Sequence, residues 1–305
     1  MSSRSPDWSL YRSFVAVLRE GSLSGAARAL GLSQPTLGRH IAELEDELGL
    51  ALFTRSPDGL EPTIAAVALR PQAEALSSAA DALFRAASGP LTENAGAVRV
   101  TASEIFAAEI LPPILARLQE HHPGIVVELL VSNRLEDLLR RDADIAVRTV
   151  RPTQSALVAS KVGAFELGLY AHSSYLDRRS APRTPRELDG HAFVGFDVGA
   201  PYTRTLQLDG KALGRDSFTF RTDSDVGQFA AIRAGCGIGA CHVPLATRAG
   251  LVRVLPKSFA PTVELWLAMH EDLRTTARCR TVFDALGVGL ATYVAAAVPS
   301  GRRRR

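Results

Sequence analysis

The amino-acid sequence predicts an α/β protein with an all-α-rich N-terminal domain and a long helix that links this domain to the rest. The first observation is that apolar residues recur at helical spacing up to about residue 87. The second is that, from Val98 onward, short apolar strands alternate with helical segments, which is typical of a parallel α/β sheet. The third is the length of 305 residues, which suits two or three domains.

Three short helices are predicted at the N-terminus. Their apolar stripes are Leu10, Phe14, Val17 and Leu18; then Leu23, Ala26, Ala27 and Leu30; and then Leu37, Ile41, Leu44 and Leu48. Ser22 and Ser33 are placed to cap the second and third helices, and Gly31 is placed to end the second. Pro35 falls in the first turn of the third helix, where its missing N–H costs nothing. Two helices this close together meet the requirement of a helix-turn-helix.

A long helix and a linker are predicted next. A short extended segment at Leu50 to Phe53 and a turn-rich loop come first. Residues 64–87 are rich in Ala and Leu at helical spacing, and Pro71 predicts a kink near Leu69. The composition of residues 87–96 indicates a linker. Because a small domain cannot cover the apolar stripe of so long a helix, we expect two copies to pair through it; packing on the α/β part of its own chain is the alternative.

Strands and helices alternate beyond the linker. The predicted strands are 98–102, 125–132, 144–149, 165–172, 193–197, 217–222, 237–242 and 263–270. The predicted helices are 105–119, 135–141, 226–234 and 275–297. Ligands of open α/β sheets bind beyond the carboxyl ends of the strands, so we expect a ligand site there.

Composition and charge limit the possible functions. Hydrophobic residues make up 46% of the chain, no apolar run is long enough to span a membrane, and the N-terminus lacks the apolar segment of a secretory signal. We therefore expect a cytoplasmic protein with no membrane partner. The net charge is +3, but Arg302–Arg305 alone supply four positive charges. Whole-chain charge therefore gives little support for nucleic-acid binding.

The exposed face of the third helix carries polar residues that can read DNA. Gln34 and Arg39 can make bidentate contacts to adenine and guanine, and Thr36 can hydrogen-bond or touch a thymine methyl. His40 lies on the same face, and the N-terminal end of such a helix usually enters the major groove. The candidate phosphate or base partners are Arg28, Arg39 and Arg55. The alternative is a small helical bundle that binds no nucleic acid.

A specific motif covers roughly the first 65 residues. It reads FVAVLREGSLSGAARALGLSQPTLGRHIAELEDELGLALFTRSPDGLEPT, and its pattern residues are Phe14, Gly21-Ser22, Ala26-Ala27, Leu30, Ser33-Gln34-Pro35, Ile41, Leu44-Glu45, Leu48-Gly49, Leu52-Phe53 and Arg55. This pattern resembles the N-terminal domain of LysR-type transcriptional regulators, and AGCGIGACHVPLA followed by LVRVLP is similar to a later part of that family. The sequence departs from it at Gly38, where Ser is usual, and at Ala66, where Gly is usual.

The resemblance implies three parts of the chain. These are a winged helix-turn-helix over 1–63, a linker and dimerisation helix with a hinge over 64–95, and a two-lobed, Rossmann-like effector domain over 96–305. Lobe I would comprise about 96–163 and 267–298, and lobe II about 164–266. The family binds promoter DNA as homodimers or homotetramers and responds to small-molecule effectors. The implied DNA-binding residues are Arg28, Ser33, Gln34, Pro35, Thr36, Gly38, Arg39, His40 and Arg55.

The effector candidates lie at the carboxyl ends of the predicted strands. They are Thr101, Ser103, Arg148, Thr149, Phe196, Thr222 and Ser224. Arg148 is the best candidate for a carboxylate contact. Alternatively, Ser103 and Ser224 only cap helices, and Arg148 only pairs with an acid. Glu104 and Asp223 would repel an anion at the same helix starts. The sequence is therefore also compatible with a cationic, zwitterionic or neutral effector.

Other classes of function receive less support from the sequence. Cys236 and Cys241 suggest a redox-responsive regulator, although buried structural thiols are the simpler interpretation. Catalysis by Cys241 and His242 is disfavoured, because adjacent strand residues point to opposite faces. A solute-binding protein for transport would carry a signal peptide. With no phosphate loop, catalytic constellation or metal-ligand spacing in the sequence, we expect no enzymatic activity, cofactor or bound metal.

Overall fold

The protein is described from a computed structural model. The description covers residues 7–56, 59–87, 94–132, 143–152, 157–198, 207–208 and 211–296. Contacts along the chain divide it into two compact units; the first holds the described residues 7–87, and the second holds the described residues from 94 onward. The predicted helix 135–141 and the arginine tail 302–305 lie outside the described residues.

The first unit combines helices with one β-hairpin. In chain order, its elements are α1 (Trp8–Glu20), α2 (Leu23–Leu30), α3 (Gln34–Leu48), β1 (Phe53–Ser56), β2 (Gly59–Pro62) and α4 (Ile64–Ala87). β1 and β2 pair antiparallel as a wing after α3. The helix-turn-helix and its wing are therefore present, and α4 is helical on both sides of Pro71.

Side-chain caps and a glycine fix the short turn between α2 and α3. Ser33 Oγ accepts a hydrogen bond from the Thr36 N–H at 3.2 Å and so begins α3. α2 ends before Gly31, whose φ of 65° lies in the left-handed region that glycine adopts without steric cost. Pro35 lies in the first turn of α3, as predicted.

The apolar stripes of α1, α2 and α3 share one core. Its most buried side chains include Leu10, Phe14, Val17, Ala26, Leu37, Leu44 and Leu52. Ala66 of α4 belongs to the same cluster, so the alanine at this position is packed without exposure to solvent. Burying a large apolar side chain contributes about 1.5–3 kcal/mol. The shared core therefore fixes α3 by its apolar face and leaves the opposite face to solvent.

The second unit is a mixed α/β structure. Its strands are β3 (Gly96–Ala102), β4 (Ile125–Val131), β5 (Ile145–Arg148), β6 (Leu157–Ala171), β7 (Phe193–Gly195), β8 (Gln207–Leu208), β9 (Lys211–Ala212), β10 (Phe220–Arg221), β11 (Ile238–His242), β12 (Val252–Val254) and β13 (Thr262–His270). Its α-helices are α5 (Leu111–His121), α6 (Ser173–Arg178), α7 (Asp225–Arg233), α8 (Val243–Arg248) and α9 (Ala277–Ala295). None of the described helices has the length and apolar character that crossing a membrane requires.

The main sheet is mixed rather than parallel. Among the described residues, its strand order is β10-β7-β11-β6-β13-β5-β3-β4, and β12 pairs with β6. β3 pairs parallel with β4 and β5, as predicted, but β13 is antiparallel to both β5 and β6. The prediction of a parallel sheet was wrong at the centre, because β6 and β13 carry the chain out of the first lobe and back into it.

Two lobes share strand β6. Residues 157–166 of β6 pair with β13 in lobe I, which also holds β3, β4 and β5. Residues 167–171 pair with β11 and β12 in lobe II, which also holds β7 and β10. On lobe I, α9 buries Val282, Leu286 and Leu290 in the sheet core.

Two predicted elements differ from the structure for local reasons. The predicted helix 105–119 is a π-helical turn, Phe106–Ile110, followed by α5. The prolines of α5 at 112 and 113 lack the N–H groups that an α-helical turn would donate to residues 108 and 109, and the Leu111 N–H instead reaches the Phe106 carbonyl. The prediction began this strand at Phe165, because residues 157–164 lack the apolar run of the second half. In the structure, β6 begins at Leu157.

Candidate nucleic-acid interface and effector pocket

The first turn of α3 is a capped, exposed helix start. Ser33 Oγ lies 2.7 Å from Thr36 Oγ1 in addition to capping the Thr36 N–H. Gln34 and Pro35 are exposed beside it. Since Pro35 has no N–H and the Thr36 N–H is bound, the Gln34 N–H is the donor of this turn that a phosphate can reach.

The predicted DNA-binding residues differ in exposure. Arg28, Ser33, Gln34, Pro35 and Arg39 are exposed, whereas Thr36, Gly38 and His40 are half-buried. His40 Nδ1 lies 2.8 Å from Oγ of Ser13, which is buried in α1. His40 therefore also ties α3 to α1, and only its second ring nitrogen is left for an outside partner.

Gly38 has open space around it within the protein. A Cβ added at this position would meet only Leu23 Cδ1, at 3.9 Å. Its φ is not in the left-handed region either. Neither the packing nor the backbone of the protein therefore requires a glycine here.

The wing is attached to α3 through Glu45. Its Oε1 accepts the N–H groups of Leu52 at 2.6 Å and of Phe53 at 3.1 Å, just before and at the start of β1. Arg55 follows in β1, where its backbone pairs with Leu60; its side chain lies outside the described residues. The sequence analysis assigned Glu45 no positioning role, although an acid five residues before a predicted extended segment was the available signal.

Thr101 and Arg148 come together, but inside lobe I. Both are buried, and Arg148 donates to Thr101 Oγ1 at 2.9 Å and to the Val147 carbonyl at 3.0 Å. β3 and β5 are neighbouring parallel strands, which brings the ends of both strands to one edge of the sheet. The pairing of Arg148 with Thr101 makes it a support for this strand edge in addition to a candidate effector contact.

The remaining effector candidates are half-buried, and Ser224 lines the pocket between the lobes. Thr222 Oγ1 accepts the Ser224 N–H at 3.2 Å, and the Ser103 carbonyl accepts the Ala107 N–H at 2.9 Å. Thr149 and Phe196 follow β5 and β7 directly. Ser224 caps α7 through the Gly227 N–H at 3.1 Å, as the alternative interpretation expected.

The pocket between the two lobes at Ser224 is small, about 310 Å³. Its lining is Glu104, Ala107, Ala108, Val131, Ser224 and Val226. Ser224 Oγ donates to Glu104 Oε2 at 2.7 Å and so bridges lobe II to lobe I. Burial, and secondarily the charge of Glu104, raises the pKa of Asp225 to about 6. The apolar lining residues gave no sequence signal, because they are indistinguishable from core positions.

Half-buried polar groups also connect the two lobes. His242 Nδ1, on β11, lies 2.8 Å from Tyr293 Oη, on α9, with Phe106 and Phe165 packed around both rings. Burial lowers the pKa of His242 to about 3 and raises the pKa of Cys241 to about 12. A protonated, buried thiol is a poor redox partner, so the redox hypothesis through Cys241 gains no support.

Both compact units match models of one protein family. Residues 8–67 match the family described as bacterial regulatory helix-turn-helix protein, lysR family, and residues 92–290 match the LysR substrate binding domain. The chain belongs to the LysR family of transcriptional regulators. The first match contains the helix-turn-helix and wing, and the second contains the pocket between the lobes.

Individual LysR-type relatives agree with this assignment. An HTH-type transcriptional regulator of Xanthomonas campestris pv. campestris is 31% identical over 182 residues, 58% of this chain, and the alignment spans about half of that relative (52%). The structure of AphB, a Vibrio cholerae virulence activator, covers 93% of this chain and 99% of its own, with a TM-score of 0.61 and 21% identity. CrgA of Neisseria meningitidis covers 95% and 99%, with a TM-score of 0.59 and 23% identity. The two structures show that this LysR chain shares their fold.

Proposed function

We propose that this LysR-family protein is a sequence-specific DNA-binding transcriptional regulator whose activity is modulated by a small-molecule effector. The observation that carries the proposal is the exposed N-terminal end of α3, capped by Ser33 and bearing Gln34 and Arg39. Its partner is chromosomal promoter DNA, so it acts in the cytoplasm. It works without a cofactor and without catalysing a reaction.

The N-terminal half of α3 enters the major groove in this proposal. Gln34 and Arg39 read base edges, because their side chains can form bidentate hydrogen bonds to adenine and guanine. Ser33, Thr36 and the helix start hold a phosphate, with Pro35 keeping the first turn compact. Arg28 and, from the wing, Arg55 contact the backbone of the DNA. Gly38 and His40 lie along the same interface.

The DNA contact is tested with footprinting on the intergenic region beside the protein's own gene. Arg39→Ala should weaken specific binding about tenfold or more, since one bidentate base contact is worth about 1–3 kcal/mol. Arg12→Ala, an exposed arginine on α1, is the matched control and should leave specific affinity unchanged. Unchanged affinity of Arg39→Ala, or no protection at low salt by folded protein, would contradict the proposal.

The linker helix α4 supports a homodimer. Ile64 is 92% exposed, Leu83 is 70% exposed, and Val67 and Leu76 are also exposed apolar residues of this helix. Leu76 and Leu83 are seven residues apart and so lie on one side of α4. Pairing with the same helix of a second copy would cover that side and would place two recognition helices on successive major grooves. We propose this homodimer as the DNA-binding form and a pair of such dimers as a homotetramer.

The effector is proposed to bind between lobe I and lobe II. The pocket at Glu104 and Ser224 supports this, because its walls come from the start of the π-helical turn and of α7, at the ends of strands from both lobes. An effector in this pocket would replace or reinforce the hydrogen bond between Ser224 and Glu104, and so change the lobe arrangement. The other proposed contacts are Thr101, Ser103, Arg148, Thr149, Phe196 and Thr222.

A thermal-shift screen of small metabolites tests the pocket. Compounds that raise the melting temperature of the protein should lose this effect in Ala108→Trp, which fills the pocket from an exposed position. Ala116→Trp, on the exposed face of α5, should keep the effect. Compounds that stabilise Ala108→Trp as much as the parent protein would place the effector elsewhere.

A further inference from the structure

A second and larger groove lies between α5 and α9 of lobe I, with Arg248 of α8 at its edge. Its volume is about 660 Å³, within the range of small-molecule sites. None of its lining residues belongs to the pocket at Glu104 and Ser224. The groove is therefore a separate feature, and a ligand bound in it would depend neither on the proposed effector pocket nor on DNA binding.

The floor of this groove is apolar. Ile114 and Leu118 of α5 are buried beneath it, and Val288 of α9 stands 71% exposed at its side. α9 contributes Gly289 at the closest approach of the two helices, where an added Cβ would lie 2.7 Å from Ile114. The helices therefore touch at this glycine, and the apolar surface beside it is open to solvent.

The rim of the groove is predominantly basic. It carries Arg117, Arg248, His121 and His122 against one acid, Asp284. Arg248 is engaged, since it donates to Glu109 Oε2 at 2.8 Å and to the Glu109 carbonyl at 3.0 Å.

Arg117 is the rim cation that is available to a ligand. Its side chain is exposed and makes one long hydrogen bond, 3.4 Å, to the Pro113 carbonyl of its own helix. Among the described residues it forms no ion pair, whereas Asp284 lies 3.8 Å from Arg280. The groove thus offers an apolar floor with an uncompensated guanidinium at its edge.

We propose that this groove binds a small amphipathic carboxylate, such as a medium-chain fatty acid. Its hydrocarbon part lies on Ile114, Leu118 and Val288, where it removes apolar surface from water. Its carboxylate pairs with the guanidinium of Arg117, the geometry that arginine recognises best.

Octanoate is the probe for this proposal, with octylamine as the probe of opposite charge. Titration calorimetry on the full-length chain should show saturable octanoate binding with a dissociation constant of up to about 10 mM, because a small ligand gains only a modest binding free energy per atom. Octylamine should bind more weakly. Val288→Glu should weaken octanoate binding at least about tenfold, because it adds a negative charge to an exposed wall position. Ala291→Glu adds the same charge to α9 outside the groove and should leave binding unchanged.

The role of Arg117 is tested with a second pair of variants. Arg117→Ser should lower octanoate affinity about threefold to tenfold, while Arg274→Ser, an exposed arginine outside the groove, should have no effect. Equal octanoate affinity in Val288→Glu and Ala291→Glu, or octylamine binding as tight as octanoate binding, would overturn the proposal. A change in oligomeric mass caused by Val288→Glu without a change in octanoate binding would also overturn it, by showing a second copy of the chain in the groove.

Discussion

Gly38 illustrates how a single residue of α3 can be free of the protein's own packing. Glycine within a helix costs about 1 kcal/mol relative to alanine, and the nearest side-chain atom to an added Cβ is 3.9 Å away. Alanine or serine would fit at this position. Nothing in the described structure explains the glycine, whereas Gly31, seven residues earlier, is required by its positive φ.

At the residue scale, His242 makes the stability of the second unit sensitive to acid. Burial lowers its pKa from about 6.5 to about 3, so below pH 6.5 the unfolded chain takes up a proton that the folded chain does not. The free energy of unfolding should therefore fall as the pH drops from 7 to 5, by up to about 1.4 kcal/mol per pH unit for this one group. Urea unfolding at several pH values measures this slope.

His242→Asn should reduce the dependence of the unfolding free energy on pH, because asparagine can accept a hydrogen bond from the Tyr293 hydroxyl and does not titrate. His121→Asn is the control, since His121 is exposed on α5 and should leave the slope unchanged. The same pH dependence in His242→Asn and in the parent protein would show that other groups cause the loss of stability.

Local residue roles were predictable, and long-range ones were not. The Ser33 cap and the place of Pro35 follow from neighbours within three residues, so the sequence alone indicates them. The bond from Arg148 to Thr101 depends on which strands are adjacent, and the bond from Ser224 to Glu104 joins positions 120 residues apart. No local pattern specifies such pairs.

At the scale of elements, Glu45 joins the recognition helix to the wing. Glu45→Ala would leave the Leu52 and Phe53 N–H groups without their carboxylate acceptor. Because hydrogen bonds to charged groups contribute about 1.5–3 kcal/mol, we expect a loss of roughly that size in the free energy of unfolding of the first unit, measured by thermal or urea denaturation.

Glu47→Ala is the matched control for Glu45→Ala. Glu47 is an exposed acid two residues further along α3, so its removal should change the stability by less than about 0.5 kcal/mol. Equal effects of the two substitutions would mean that the bonds to Leu52 and Phe53 contribute nothing to the stability of the wing.

The elements of the first unit were easier to predict than those of the second. α1, α2 and α3 carry amphipathic stripes bounded by caps and glycines, and both signals are local. Central strands of the second unit have no such boundaries. β6 begins eight residues before its apolar half, and α6 and α8 are six-residue helices too short to show a period.

At the scale of the whole molecule, α4 should control the oligomeric state. Leu83→Glu places a charge on an apolar face that two copies are proposed to share, and symmetry applies it twice in each dimer. We expect the dissociation constant of the dimer to rise at least about tenfold, with a matching loss of affinity for DNA carrying two half-sites. Sedimentation equilibrium measures the first effect and a gel shift the second.

Val198→Glu serves as the control for this substitution. Val198 is 84% exposed but lies in the second unit, so the added charge should leave the dimer intact. An unchanged molecular mass of Leu83→Glu at low micromolar concentration would indicate that the copies associate through another surface.

The overall division of the molecule followed from its sequence, but the sheet direction did not. The change from helical spacing to alternating strands near Val98 separates two kinds of core. The reversal of direction at the centre depends on β6 and β13 lying side by side. These strands are about a hundred residues apart in sequence, and their composition does not encode their direction.

The change of partners along β6 falls at a single peptide bond. Glu166 is the last residue paired with β13, and Leu167 is the first paired with β11. Both lobes are thus hydrogen-bonded to one continuous backbone. Rotation of one lobe against the other therefore twists the backbone of β6 near Glu166 and Leu167. The stiffness of β6, together with that of the return crossing into β13, then sets how much of an effector's binding energy goes into lobe motion and how much remains to hold the effector.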